Sequence, residues 1–219
     1  MMPWSKKKSL KGNENGRRAF ILGNGPSIIK EDLAKLKGEL IIGMNASTIL
    51  EKEFGFFQNY YCISDSRFLC HPEKRMWGTS ELDKNTIRVL RGDLIDLDDP
   101  NLKKSTYYTP HLKRDGFSYN VEVGFYYGCT TTMLAIQLAA HLGCSEIYLL
   151  GVDLRYRHES PRFYKESKPQ LEDAFTSVQI WNIANAAKIL SNSGCRLISC
   201  SEKSLLRPYL PYFSLESFL

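Results

Sequence analysis

"FILGNGPSII", Phe20 to Ile29, is a short apolar run that breaks at once into a turn of small residues. Ala19 to Leu22 is too short a run for a helix and suits a buried strand. Gly23, Asn24, Gly25, Pro26 and Ser27 then end that strand. A turn with two glycines lets backbone N–H groups approach an anion with no Cβ in the way. Ser27 is placed to cap a helix starting near Ile28, whose N-terminus would favour negative charge. The stretch therefore admits two readings, plain chain reversal or a cradle for phosphate. It is neither GxGxxG nor GxxxxGKS/T, so it is not one of the usual dinucleotide or P-loop signatures.

Outward from this turn, apolar runs of strand length recur with helical patterns between them. Arg18–Leu22, Leu40–Met44, Tyr60–Ser64, Thr86–Leu90, Glu146–Leu150 and Arg196–Ser199 are the expected strands. Thr130–Leu142 is apolar nearly all round and reads as a buried helix that stops at Gly143. A second long helix is expected from about Leu171 to Ser193, stopping at Gly194. Alternation of this kind predicts an α/β domain, Rossmann-like, with a largely parallel sheet and helices on both faces. Ligands of such sheets bind beyond the carboxyl ends of the strands. The residues there are Gly23 to Ser27, Asn45 to Ser47, Asp65 to Arg67 and Gly151 to Tyr156. "YYGCTTTMLA" adds Gly128, Thr130, Thr131 and Thr132 at the start of the buried helix. Hydroxyls and free N–H groups there make a second anion-compatible helix start, and equally an ordinary threonine cap. The stretch from about Phe68 to Tyr127 reads as an irregular, aromatic-rich insertion suited to a lid or acceptor surface.

The chain has 219 residues and a net charge of +5, with 43% hydrophobic and 24% charged residues, ordinary for a globular domain. The positive excess sits in residues 1–17 and Arg18, and the rest is balanced. Residues 1–17 read as a disordered basic leader, 18–204 as the nucleotide-binding domain and 205–219 as an apolar tail. The tail either folds back on the sheet or docks on a second copy or a membrane-bound enzyme. Nucleic acid is not an expected partner. No apolar stretch reaches the roughly 18 residues of a membrane span, and the leader lacks the apolar core of a secretory signal. The six cysteines form no CxxC pair and the four histidines no ligand spacing. Reduced, buried thiols in a cytoplasmic protein are expected, with peripheral attachment at the inner face of the membrane as the tail's extension of that reading.

Four blocks together resemble a known family. "GNGPS", "IGMN", "YYCISDS" and "GCTTTMLAIQLAAHLGCSEIYLLGVDLRY" are similar, in order, to the 6-hydroxymethylpterin pyrophosphokinase-like domain family. That family is related to bacterial lipo-oligosaccharide sialyltransferases and flagellar glycosylation accessory proteins. The resemblance spans roughly Ala19 to Ser204 and implies a Rossmann-like fold that binds a nucleotide or nucleotide sugar. It places Asn24 and Asn45 at the donor, Gly128 to Thr132 around the cytidine, and Tyr156 and Tyr164 near the leaving phosphate. Two departures stand out: Gln170 to Ile180 holds no histidine where the sialyltransferases carry a catalytic one, and Asp65 replaces an asparagine.

A glycosyltransferase of bacterial surface glycan synthesis, using a nucleotide-activated sugar for which a CMP-linked one is a candidate and acting on a glycan or lipid-linked acceptor, is the reading these residues favour. His158 and Asp153 are its candidate bases, and Arg155 and Arg157 its candidate phosphate partners. A pterin-type pyrophosphokinase would instead use Asp65, with Asp153, to hold Mg²⁺ and ATP. A non-catalytic nucleotide-binding protein of a glycan pathway is the third reading.

Overall fold

The computed structural model describes residues 7–156, 161–166 and 173–217. All six expected strands form, β1 (Arg18–Leu22), β2 (Leu40–Met44), β3 (Tyr60–Ile63), β4 (Ile87–Arg91), β6 (Glu146–Leu150) and β7 (Arg196–Ser199). They are joined by β5 (Tyr107–Thr109), which three residues of an aromatic-rich stretch are too few to announce. The sheet order is β5-β4-β3-β2-β1-β6-β7, and every neighbouring pair is parallel. The chain works outward from β1 to β5 and then returns to place β6 on the other side of β1. This reversal makes the switch point at which ligands bind in such sheets.

Side chains alternate across the strands, and both faces are covered. Ile21, Ile42, Cys62 and Leu149 pack under α4 (Thr131–His141) and α5 (Thr176–Asn192). Phe20, Leu22, Ile41 and Leu150 pack under two 3₁₀ turns, Pro26–Lys30 and Leu33–Leu36, and α1 (Ser47–Phe54). Only Ala140 of α4 escapes full burial, as its apolar sequence requires. The expected start of α5 at Leu171 lies outside the described residues. The helix itself begins at Thr176, after Asp173 has turned the chain by accepting from the Phe175 amide at 2.9 Å.

Two expectations are corrected, and of the two readings of the tail the folded-back one is observed. Residues 7–17 are not a free leader. Leu10 is buried, and the amides of Gly12, Glu14 and Gly16 donate to the carbonyls of His141, Leu142 and Gly143. These are end-of-helix carbonyls that lack partners within α4. The stretch from Phe68 to Tyr127 is not an insertion, because it carries β4 and β5 with α2 (Ser66–Cys70) and α3 (Pro72–Trp77). The tail folds back: Leu206, Leu210 and Leu215 are buried, and Ser199 of β7 exchanges hydrogen bonds with the backbone at Pro211 and Phe213. No helix among the described residues is long and apolar enough to cross a membrane.

The β4 edge is held by a buried ion pair. Arg88 reaches Asp98 through two bonds of 2.9 and 2.7 Å, and Tyr108 donates to the same carboxylate at 2.6 Å. Burial alone would raise the Asp98 pKa, but hydrogen bonds and charge from Arg88 hold it below the ordinary carboxylate range. Asp98→Asn leaves the guanidinium buried without its countercharge and is expected to cost about 3–5 kcal/mol. A depressed folded pKa stabilises above the unfolded value of about 3.9 and loses that contribution as pH falls through the folded value. Urea melts should therefore show the gap between parent and variant narrowing below about pH 4. Deleting Tyr209 to Leu219 uncovers the β7 edge and part of the second core, and calorimetry should show the cooperative melt lost.

Candidate functional site

The loops after β1 and β6 meet at the switch point, and small residues let them. A Cβ on Gly23 would lie 2.4 Å from the Gly151 carbonyl oxygen, and one on Gly25 would lie 2.5 Å from Asp153 Oδ2. The amides of Gly23 and Gly25 donate to Leu150 and Gly151 at 2.7 Å each. Asp153 completes the contact, with Oδ2 accepting from the Ser27 amide at 2.9 Å and Oδ1 from the Ser27 hydroxyl. The hydroxyl also meets Ser201 at 2.8 Å.

This geometry shows how the opening loop is packed. Its glycines admit a neighbouring strand's backbone, two of its amides, those of Gly23 and Gly25, donate to that backbone, and the Ser27 amide donates to the Asp153 carboxylate. Ser27 caps no helix: Gly25 holds the cap position of a five-residue 3₁₀ turn, and Pro26 is its first residue. Asp153 is a clamp with both oxygens engaged, not a free base.

A cleft opens beside the clamp. Gly23, Asn24, Gly25, Asn45, Thr130, Thr131, Thr132, Asp153, Tyr156, Arg162 and Gln179 line it. Asn24 ties two of its walls, its side chain accepting from the Ala46 amide at 3.2 Å and its carbonyl from the Phe163 amide at 3.1 Å. Asn45 has a left-handed backbone, φ 53°, and its carbonyl accepts from the Tyr61 hydroxyl. Leu154 in the lining, at φ 53°, and Cys129 just ahead of Thr130, at φ 56°, carry the same strain. Non-glycine residues hold such angles where the surroundings impose them, commonly at functional sites. Thr130 caps α4 by accepting from the Thr132 amide at 3.2 Å, and Thr131 bonds Ser64 at 2.8 Å. Gly128 turns the chain at φ 54° ahead of them and does not line the cleft.

A second cleft shares Asn24, Asn45 and Arg162 with the first and adds Asp65, Arg67, Phe68, Lys74, Tyr164 and Glu166. Asp65 caps α2, and its two oxygens accept a fork from Arg67 at 3.0 and 2.7 Å. Burial would raise its pKa, but the Arg67 hydrogen bonds and charge hold it low. A Mg²⁺ ligand there would have to displace that arginine. Among the described residues no three His, Cys, Asp or Glu side chains gather as a metal site. The donor set does not fit the Mg²⁺ expected at Asp65.

Arg162 joins the clefts. Its guanidinium lies 5.0 Å from the Tyr156 ring centre, donates to its neighbour Pro161, and forms no ion pair among the described residues. The Tyr156 hydroxyl is 3.4 Å from Asp173, and burial raises its pKa. Burial, with the charge of Glu166 behind it, pushes Tyr164 up to about 12, so both tyrosines are hydroxyl donors at neutral pH. His158 lies outside the described residues, as does Arg157. Arg155 borders the first cleft but donates to the Lys203 carbonyl. Sequence reasoning missed Arg162, Gln179 and Glu166. The signal for Arg162 and Glu166 was the basic and aromatic run "PRFYKE" beside the expected site, and Gln179 had none.

Three buried side-chain oxygens without a hydrogen-bond partner are found among the described residues: Asn45 Oδ1, Gln179 Oε1 and Glu166 Oε2. All three belong to residues that line these two clefts. Native proteins seldom leave buried acceptors unpaired, so a ligand that donates hydrogen bonds is the economical explanation.

Neither a protein-family model nor a curated protein sequence matches this chain. Solved structures do. The MAf glycosyltransferase from Magnetospirillum magneticum AMB-1 matches at TM-score 0.66 and 16% identity, over 96% of this chain and 36% of that one. The sialyltransferase CstII from Campylobacter jejuni, in complex with the substrate analogue cytidine-5'-monophosphate, matches at TM-score 0.55 and 16% identity. That match covers 90% of this chain and 85% of the other. The likeness is one of fold. The chain spans about a third of the length of the Magnetospirillum protein.

Asp153→Ala leaves the part-buried Ser27 amide without its acceptor and is expected to cost about 1 kcal/mol in a urea melt. Ser27→Ala in the same background should add less than it does alone, since the two changes remove one contact.

Proposed function

We propose that this chain is the donor-binding domain of a glycosyltransferase that takes a nucleotide-activated sugar. The observation that carries the reading is the set of buried acceptors without partners beside Arg162, a cation with no ion pair among the described residues. Asn45 and Gln179 offer oxygens to ribose hydroxyls or a base amine. Arg162 and the N-terminus of α4 suit the phosphate. Tyr156 and Tyr164, held protonated, can donate to the phosphate oxygen as charge develops on it during departure of the sugar. Asn24 and Asn45 keep the roles at the donor that the resemblance implies.

The finer reading is a CMP-linked donor and a bacterial surface glycan as acceptor. Its support is the likeness to CstII, whose structure holds cytidine-5'-monophosphate, together with the motif resemblance. Four buried, unbonded cysteines, Cys62, Cys144, Cys195 and Cys200, suit the reducing cytoplasmic compartment in which nucleotide sugars are made available. The pyrophosphokinase reading is the weaker one, because Asp65 is closed by Arg67.

The test is a thermal-shift panel of CMP, CDP, UDP, GDP and ATP, each with and without Mg²⁺. A cytidine nucleotide at a hundred times its dissociation constant should add about 2.7 kcal/mol of stability, independent of metal. Arg162→Ala should weaken its binding by about tenfold to a hundredfold, the worth of one charge-assisted phosphate contact. Stabilisation by ATP alone, and only with Mg²⁺, would return the pyrophosphokinase reading.

A further inference from the structure

We propose that the second cleft is the acceptor subsite and that Glu166 is the catalytic base that takes the acceptor hydroxyl's proton. The inference rests on the glycosyltransferase reading and extends it to the other substrate.

Displacement at a sugar carbon needs a group that receives the proton of the attacking hydroxyl. Four described carboxylates lie at or beside the clefts. Asp153 has both oxygens on Ser27, and Asp65 has both on Arg67. Asp173 accepts from the Phe175 amide on one oxygen and from Gln179, with Tyr156 beyond it, on the other. Glu166 differs from all three. Its side chain is 7% exposed, Oε1 meets Lys74 Nζ at 2.5 Å, and Oε2 is buried with no hydrogen-bond partner. Lys74 supplies the countercharge that a buried carboxylate needs, while leaving one oxygen open.

Its position is fixed from several sides. Tyr164, two residues earlier, packs edge-on against Trp77 with ring centres 5.1 Å apart, and the Phe163 amide is held by Asn24. Lys74 lies on α3, so this short segment is pinned to the opposite wall of the cleft. The shared wall of Asn24, Asn45 and Arg162 sets the second cleft directly beside the first. An acceptor lying against Glu166 would meet a donor sugar that projects from the nucleotide across that wall.

In the proposed step the acceptor oxygen bonds to the anomeric carbon, and its proton passes to Glu166 Oε2. The bond from that carbon to the nucleotide phosphate breaks, and its electron pair stays on the phosphate oxygen. Glu166 then returns the proton to solvent. The lining of paired charges and aromatic rings suits a sugar alcohol as acceptor, since hydroxyls bond to either sign of charge.

The experiment pairs CMP binding with transfer. Parent, Glu166→Gln and Glu166→Ala are first checked for folding and for CMP-induced thermal shift. They are then incubated with CMP-, UDP- and GDP-sugars and a panel of methyl glycosides, and products are read by mass spectrometry. The expected result is an unchanged CMP shift in both variants and a transfer rate at least a hundredfold below the parent. Sodium formate should restore part of the activity of Glu166→Ala, which a structural role would not allow. Transfer by Glu166→Gln within threefold of the parent overturns the assignment, as does failure of formate to rescue a folded, CMP-binding Glu166→Ala. A parent that binds CMP and transfers to no glycoside also overturns the acceptor subsite and leaves the nucleotide cleft standing. A parent that binds no nucleotide overturns the glycosyltransferase reading and the base with it.

Discussion

The close approach of the β1 and β6 loops is the constraint on which the rest depends. The two strands are neighbours because the chain reverses its direction of growth across the sheet at this point. Neighbouring parallel strands end together, so their two loops compete for the same space. Gly23, Gly25 and Gly151 resolve the competition by having no side chains to place there. Asp153 then fixes the separation through Ser27, and the cleft takes its shape from that fixed edge.

Polar groups at the site fall into two kinds. One kind is satisfied within the protein: the Asp153–Ser27–Ser201 chain and the Asp65–Arg67 fork. These hold backbone segments in register and have no free valence to offer a substrate. The other kind is buried and unfinished, as at Asn45, Gln179 and Glu166. An unpaired acceptor away from water costs about 1–3 kcal/mol. Left-handed backbone at Asn45, Cys129 and Leu154 adds strain of a similar order. The extensively buried sheet can carry that burden, because α4 and both core faces are close-packed around it.

Charge is arranged in the same way. Most cations near the clefts are already partnered, Arg67 by Asp65 and Lys74 by Glu166. Arg162 is held by an aromatic ring and a carbonyl, which position a guanidinium without neutralising it. A cation kept this way retains its full attraction for an anion arriving from solution.

The sequence by itself determined the strands, the buried helix and the edge of the sheet at which polar residues collect. Short β-branched and aliphatic runs ending in glycine or asparagine are local signals, and local chemistry suffices to read them. It also placed Asn24, Asn45, Thr130 and Tyr156 in one region, because each follows a strand or opens a helix. Tertiary structure alone decided what the residues do there. Gly25 reads equally as an anion cradle or a point of backbone contact until Gly151 is seen against it. Asp153 and Asp65 read as a base and a metal ligand until Ser27, 126 positions away, and Arg67 are seen to close their oxygens. Residues 7–17 look solvated by composition, yet their amides complete the end of α4. Glu166 gave no signal beyond its place in "PRFYKE", since a carboxylate's burial and its ion pair are set by Lys74, 92 positions earlier in the chain.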